Sequence, residues 1–178
     1  RHLRLRLARD AQDRTARLAL ALLARDAGDP QAGALLRAAA HAMHEAGDAR
    51  GEIGAWRALI PLLGSQGRLA DAEDALAIAG RTAQASRARD LQAAVTVLTA
   101  GLAQRRFQHD RAWALLKEVE PAIFPDVNPA GTGPDAPPWL KSAALGSMGG
   151  ALWGLGRDRG AADYYRPQLD IVCAQGDR

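Results

Sequence analysis

The sequence predicts an all-α fold of about eight helices that pack as antiparallel pairs into a solenoid. Three observations carry this expectation. Hydrophobic residues make up 48% of the 178 positions, but they are mostly Ala and Leu, and aromatics reach only 4%. Good helix formers are thus abundant, and the β-branched and aromatic residues that strands prefer are scarce. Apolar residues recur at helical spacing in most segments. Gly or Pro marks the gaps between segments of similar length.

The elements follow in chain order. A first helix is expected over about 3–27. Its opening, LRLRL, alternates as a strand would, but the run continues through ARDAQDRTARLALALLARDA without a break. GDP at 28–30 ends it, and Pro30 suits the first position of the next helix, which runs to about Ala46. Gly47–Asp48 separates that helix from a third, from about Ala49 to Gln66, which Gly67 ends. Further helices are expected over 69–85, 87–105 and 109–123. The stretch FPDVNPAGTGPDAPPW, residues 124–139, holds five prolines and two glycines and is no regular element. Two helices follow, over 138–155 and 160–175.

Charge narrows the partners. Twenty-three basic residues face 20 acidic ones for a net charge of +3. They interleave as on a solvated helix face, with no dense basic block beyond Arg1–Arg6 and the Arg105–Arg106 pair. No aromatic–basic motif of a known nucleic-acid module is present, so nucleic acid is not the expected partner. No run reaches the ~18 apolar residues of a membrane span, and none reads as a signal peptide. The single cysteine, Cys173, forms no internal disulfide and leaves the redox compartment open. The chain does not begin with Met and stops just after a Gly176–Asp177 turn signal, which is expected of a piece of a larger protein.

Similar helices in pairs call for a repeat search. WRALIPLLGSQGRLADAEDALAIAG aligns with ALGSMGGALWGLGRDRGAADYYRPQL, with Trp56 set on Leu145. Leu59 then falls on Met148, Leu63 on Leu152, Ala72 on Ala161 and Leu76 on Tyr165. Gly149 stands where the first segment has Ile60. Residues 87–123 give a further pair, with Ala112 at the small position and Leu116 at the large one, and residues 3–46 a degenerate first pair. The pattern resembles the tetratricopeptide repeat, with W-x2-L-G-x2-Y in helix A and small–aromatic–small in helix B. Small residues sit where two helices cross closely, and large ones fill the holes beside the crossing. The resemblance implies one helical-repeat domain over 1–178, with repeats at about 3–47, 49–86, 87–124 and 138–176 and a Pro-rich loop at 124–138. Pro61 and Pro167 depart from the pattern and predict bends.

No constellation points to catalysis. His41 and His44 in HAMHE share a helix face, but no third ligand accompanies them, and a polar helix face is the reading. GTGPDAPPWLK lacks the spacing of a phosphate loop. Gly146, Gly149, Gly150 and Gly154 make a smooth stripe; repeat packing accounts for Gly149 and not for the other three. Cys173 has no His or acid beside it and reads as a small buried hydrophobe at the end of an apolar stripe. No catalytic residue, metal or cofactor is therefore assigned, and an enzyme is not expected.

In the tetratricopeptide family the A helices line a concave face that holds peptides. The resemblance places Arg57, Val97, Gln104, Arg105, Gly150 and Trp153 on that face, with Trp153 as the one large anchor. It implies an interaction scaffold or regulatory module that binds a protein or peptide segment, or another domain of the same polypeptide. Repeats of ~40 residues with Gly-Asp turns resemble those of bacterial signalling and transcriptional regulators, which implies a cytoplasmic regulatory role. The alternative is a sensor domain that takes a small molecule or short peptide in the same groove.

Overall fold

The computed structural model describes residues 13–124 and 136–176. All eight elements among them are α-helices: α1 (Arg14–Asp26), α2 (Ala32–Glu45), α3 (Ala49–Ser65), α4 (Leu69–Ser86), α5 (Arg89–Arg105), α6 (His109–Ile123), α7 (Pro138–Gly154) and α8 (Asp158–Gly176). The all-α expectation holds, and helix ends fall within a few residues of those read from the Gly and Pro signals. The start of the first predicted helix, the Arg1–Arg6 block and most of the Pro-rich stretch lie outside the described residues. Pro61 and Pro167 sit inside helices that run on past them, as does Pro121 in α6.

One turn chemistry joins most helices. Five times an N–H bonds back to the carbonyl five residues earlier: Asp29 to Ala24, Asp48 to Met43, Arg68 to Leu63, Gln108 to Ala103 and Arg157 to Leu152, at 2.8–3.0 Å. This closure needs a left-handed residue just before the donor. Gly28, Gly47, Gly67 and Gly156 fill it at four turns, with φ of 68 to 73°. At the Gly47 turn the aspartate that follows caps the next helix, and α1 starts on the cap of Asp13. Asp48 accepts from Gly51 N at 2.9 Å, and Asp13 from Ala16 N at 2.9 Å.

The chain divides between Arg87 and Ala88 into two compact units, each with four helices among the described residues. In the first, α1 packs on α2, α2 on α3, α3 on α4, and α1 also touches α3. The large core side chains come chiefly from α3: Ile53, Trp56, Leu59 and Leu63 are at most 1% exposed. Helix α4 answers with alanines alone, Ala72, Ala75, Ala79 and Ala83. A helix that buries only methyl groups lies close to its neighbour, and the large side chains of α3 fill the space beside the crossing.

The second unit repeats this order. Helices α5 to α8 pack in succession, and α5 also packs on α7. The small position of α6, Ala112, and its large one, Leu116, are fully buried. In α8 the small residue is Ala161, 2% exposed. Backbones of the first and third helices approach in both units, whereas those of the second and fourth stay apart. Each unit is therefore narrower on the side of its odd-numbered helices.

The glycine stripe of α7 finds its physical reason here. A Cβ on Gly149 would stand 2.6 Å from the Tyr165 ring, and one on Gly146 2.5 Å from the Gln168 amide. Gly150 faces Gln104 of α5, and the His109 ring of α6 lies where a Cβ on Gly154 would be. Three helices press on α7, and hydrogen atoms in place of methyls let them do so.

Candidate functional site

Two clusters of chemistry-bearing side chains stand out, one in each unit. In the first, Glu52 is the one buried charged residue among the described residues, at 1% exposure. Its Oε1 accepts from Trp56 Nε1 and from Thr82 Oγ1, each at 3.0 Å, and its Oε2 meets His44 Nδ1 at 2.9 Å. His41 packs edge-on against the Trp56 ring, with centroids 6.0 Å apart. The carboxylate thus ties α2, α3 and α4, and both histidines of HAMHE are engaged around it from an exposed face. No group of three metal-ligating side chains gathers among the described residues. A carboxylate with all its contacts made and no open face is a structural tie. Its signal was readable: Glu52, Trp56, Leu59 and Leu63 lie at i, i+4, i+7 and i+11, so Glu52 sits on the buried stripe.

The second cluster is open to solvent. It forms where the α5–α6 turn meets the C-terminal end of α7. Trp153 is 68% exposed and Phe107 86% exposed. Phe107 occupies the left-handed position that glycine fills at four other turns, with φ of 60°. That conformation costs a non-glycine residue about 1–2 kcal/mol. Its ring meets the His109 ring edge-on at 6.3 Å. His109 in turn lies on the backbone of Gly154, beside Trp153, and its Nδ1 is buried without a hydrogen-bond partner among the described residues. Leaving such an atom unpaired costs about 1–3 kcal/mol. Gln104 Nε2 donates to the Ser147 carbonyl at 2.5 Å and so clamps α5 onto α7.

The residues expected on the A-helix face separate in space. Gln104 and Gly150 are in contact, and Arg105 and Trp153 are exposed at the same end of the second unit. Val97 is 5% exposed and packs in the core of that unit, so it offers no surface. Arg57 belongs to the first unit, where its guanidinium is held below the usual arginine range by partial desolvation and then by the charge of Arg25. Phe107 and His109 are the residues that sequence reasoning missed. The signal for Phe107 lay in the turns: set on one another, they read Gly, Gly, Gly, Phe, Gly.

Other features of the tail differ from expectation or fit it. Tyr165 covers Gly149, and Ala161 is buried, as the repeat pattern asks. Cys173 is exposed, not buried, and so are Leu169 at 61% and Val172 at 49%. They lie beyond Tyr165 and Gln168, the residues of α8 that meet α7, and no described helix buries them. Tyr164 instead turns to α6, where its ring meets Trp113 edge-on at 5.8 Å, and Lys117 stands 5.7 Å over the same indole. Among the described residues, no helix is long and apolar enough to cross a membrane. Comparisons with protein-family models, curated proteins and solved structures find no match to this chain.

Proposed function

We propose that the chain is a protein-interaction module that holds a segment of another protein, or of another domain of its own polypeptide, at the end of the second unit where α5 meets α7. The observation that carries the reading is Trp153: a large aromatic side chain, 68% exposed, on a helix pinned from three sides. Exposure of that much apolar surface is unfavourable unless a partner covers it, and tryptophan is the residue type most enriched among binding hot spots. The clamp from Gln104 to Ser147 fixes the spacing of α5 and α7, so the surface is pre-organised and little ordering is lost on binding. The resemblance to tetratricopeptide repeats supports the same reading, because the approach of first and third helices is how such pairs stack. A regulatory role within a larger cytoplasmic signalling or transcriptional protein agrees with that resemblance.

Selection of a random peptide display library on the immobilised protein tests this. Enriched peptides should lose at least about tenfold in affinity for Trp153→Ala, whose circular dichroism should be unchanged. If no enriched peptide depends on Trp153, the reading is wrong.

A further inference from the structure

The second unit displays two neighbouring turns whose residues share a chemistry. Residues 104–111 read QRRFQHDR, and residues 153–160 read WGLGRDRG. Each carries one exposed aromatic, Phe107 or Trp153. Around them Arg105, Arg106, Arg111, Arg157 and Arg159 are all exposed, against two carboxylates, Asp110 and Asp158. The contact of His109 with Gly154 brings the two turns together. Five of the 23 basic residues of a chain with net charge +3 thus converge on one end of the unit.

From this juxtaposition we infer that the partner segment is an acidic peptide with an aromatic or aliphatic anchor: the anchor lies against Phe107 and Trp153, and flanking carboxylates pair with the arginines. The inference rests on the interaction reading above and names the chemistry of its ligand. Phe107 supplies the second, independent observation. Its backbone conformation is one that glycine adopts without strain, and the ring recovers little of the cost, since it is 86% exposed and meets the His109 ring edge-on. An observed backbone outlier of this kind points to a use for the side chain it displays. Guanidinium groups take carboxylates through two parallel hydrogen bonds, which fits discrete acidic side chains. Single-stranded nucleic acid also combines stacking with phosphate contacts, but it asks for a continuous positive track. Asp110 and Asp158 interrupt such a track, one in each turn.

Sequencing the peptides enriched on the wild-type protein tests the inference, with affinities by fluorescence anisotropy for variants chosen to fold. Phe107→Gly relieves the left-handed residue and should fold at least as stably as wild type. The expected result is a consensus of Asp or Glu around Trp, Phe or Leu. Affinity should fall about tenfold or more for Phe107→Gly and for the double reversal Arg105→Glu with Arg157→Glu, and should weaken as salt rises. Trp153-dependent peptides without an acidic bias, or indifferent to the charge reversal, would overturn the assigned chemistry while the interaction reading stands. Full affinity in Phe107→Gly would overturn the role given to that ring. A fluorescein-labelled oligothymidylate that binds more tightly than the peptides would replace the acidic peptide with nucleic acid. Absence of any Trp153-dependent peptide would remove the interaction reading and this inference with it.

Discussion

Removing the Glu52 carboxylate tests how the first unit is held. In Glu52→Ala the buried Trp56 Nε1 loses its acceptor, which costs about 1–3 kcal/mol. One side-chain methylene leaves the core together with the carboxyl group, at about 0.8 kcal/mol. Thr82 Oγ1 falls back on the Ile78 carbonyl, already 3.3 Å away, and His44, exposed on its outer side, turns to water. The total is about 2–4 kcal/mol. Glu52→Gln keeps an oxygen for Trp56 and Thr82 and disturbs only the contact to His44, so about 1 kcal/mol is expected. Urea unfolding followed by circular dichroism reads both. With a slope of about 2 kcal/mol/M, the alanine variant should lose about 1–2 M in midpoint and the glutamine variant about 0.5 M. Equal losses for the two would show that the charge on Glu52 matters and its acceptor geometry does not. A loss below about 1 kcal/mol for alanine would refute the tie altogether.

Two further outcomes follow from contacts in the second unit. Gly149→Ala drives a methyl into the Tyr165 ring and should cost about 1–3 kcal/mol, whereas Gly146→Ala meets only the mobile end of Gln168 and should be neutral or gain up to about 1 kcal/mol in helix propensity; thermal melts that rank them the other way would refute the packing described for α7. Burial first, and then the charge of Glu120, push the Tyr164 phenol above its ordinary 10.0, and the hydrogen bond to Glu120 raises Lys117 above 10.5. The fold therefore prefers neutral Tyr164 and charged Lys117, their contribution is fully present below those ordinary values, and it is lost as pH rises through the raised ones. The urea midpoint should fall as pH rises above about 10, and less so in Tyr164→Phe; an equal fall in the variant would show that Tyr164 does not contribute.

Much of the fold was legible because its punctuation is chemical. Gly47–Asp48 ends one helix with a left-handed residue and caps the next with a carboxylate, and two adjacent letters carry both signals. Position Ala72 and its counterpart Ala161 were readable because a close helix crossing demands a small residue at a fixed offset from the turn. The partition at Arg87 was not, since Arg87 itself adopts φ of 54° without a glycine to mark it. The stripe of α7 was visible as a stripe, but the three helices that need it are set by tertiary packing, which spacing alone does not encode. The fate of Val97 shows the same limit: a helix position maps to a face, and which face is covered depends on neighbours. Cys173 was read as buried from its residue type and its place at the end of an apolar stripe, but that end of α8 is left uncovered by the described helices.

Helix α7 carries four glycines within seventeen residues. Each lowers intrinsic helix propensity by about 1 kcal/mol relative to alanine, so the segment has little tendency to coil in isolation. Its order is conferred by Gln104, His109, Tyr165 and Gln168, which arrive from α5, α6 and α8. The second unit is accordingly indivisible: a cut on either side of α7 would leave a peptide that does not hold its own helix and a remainder with nothing to press against. The surface that displays Trp153 exists only as a property of all four helices together.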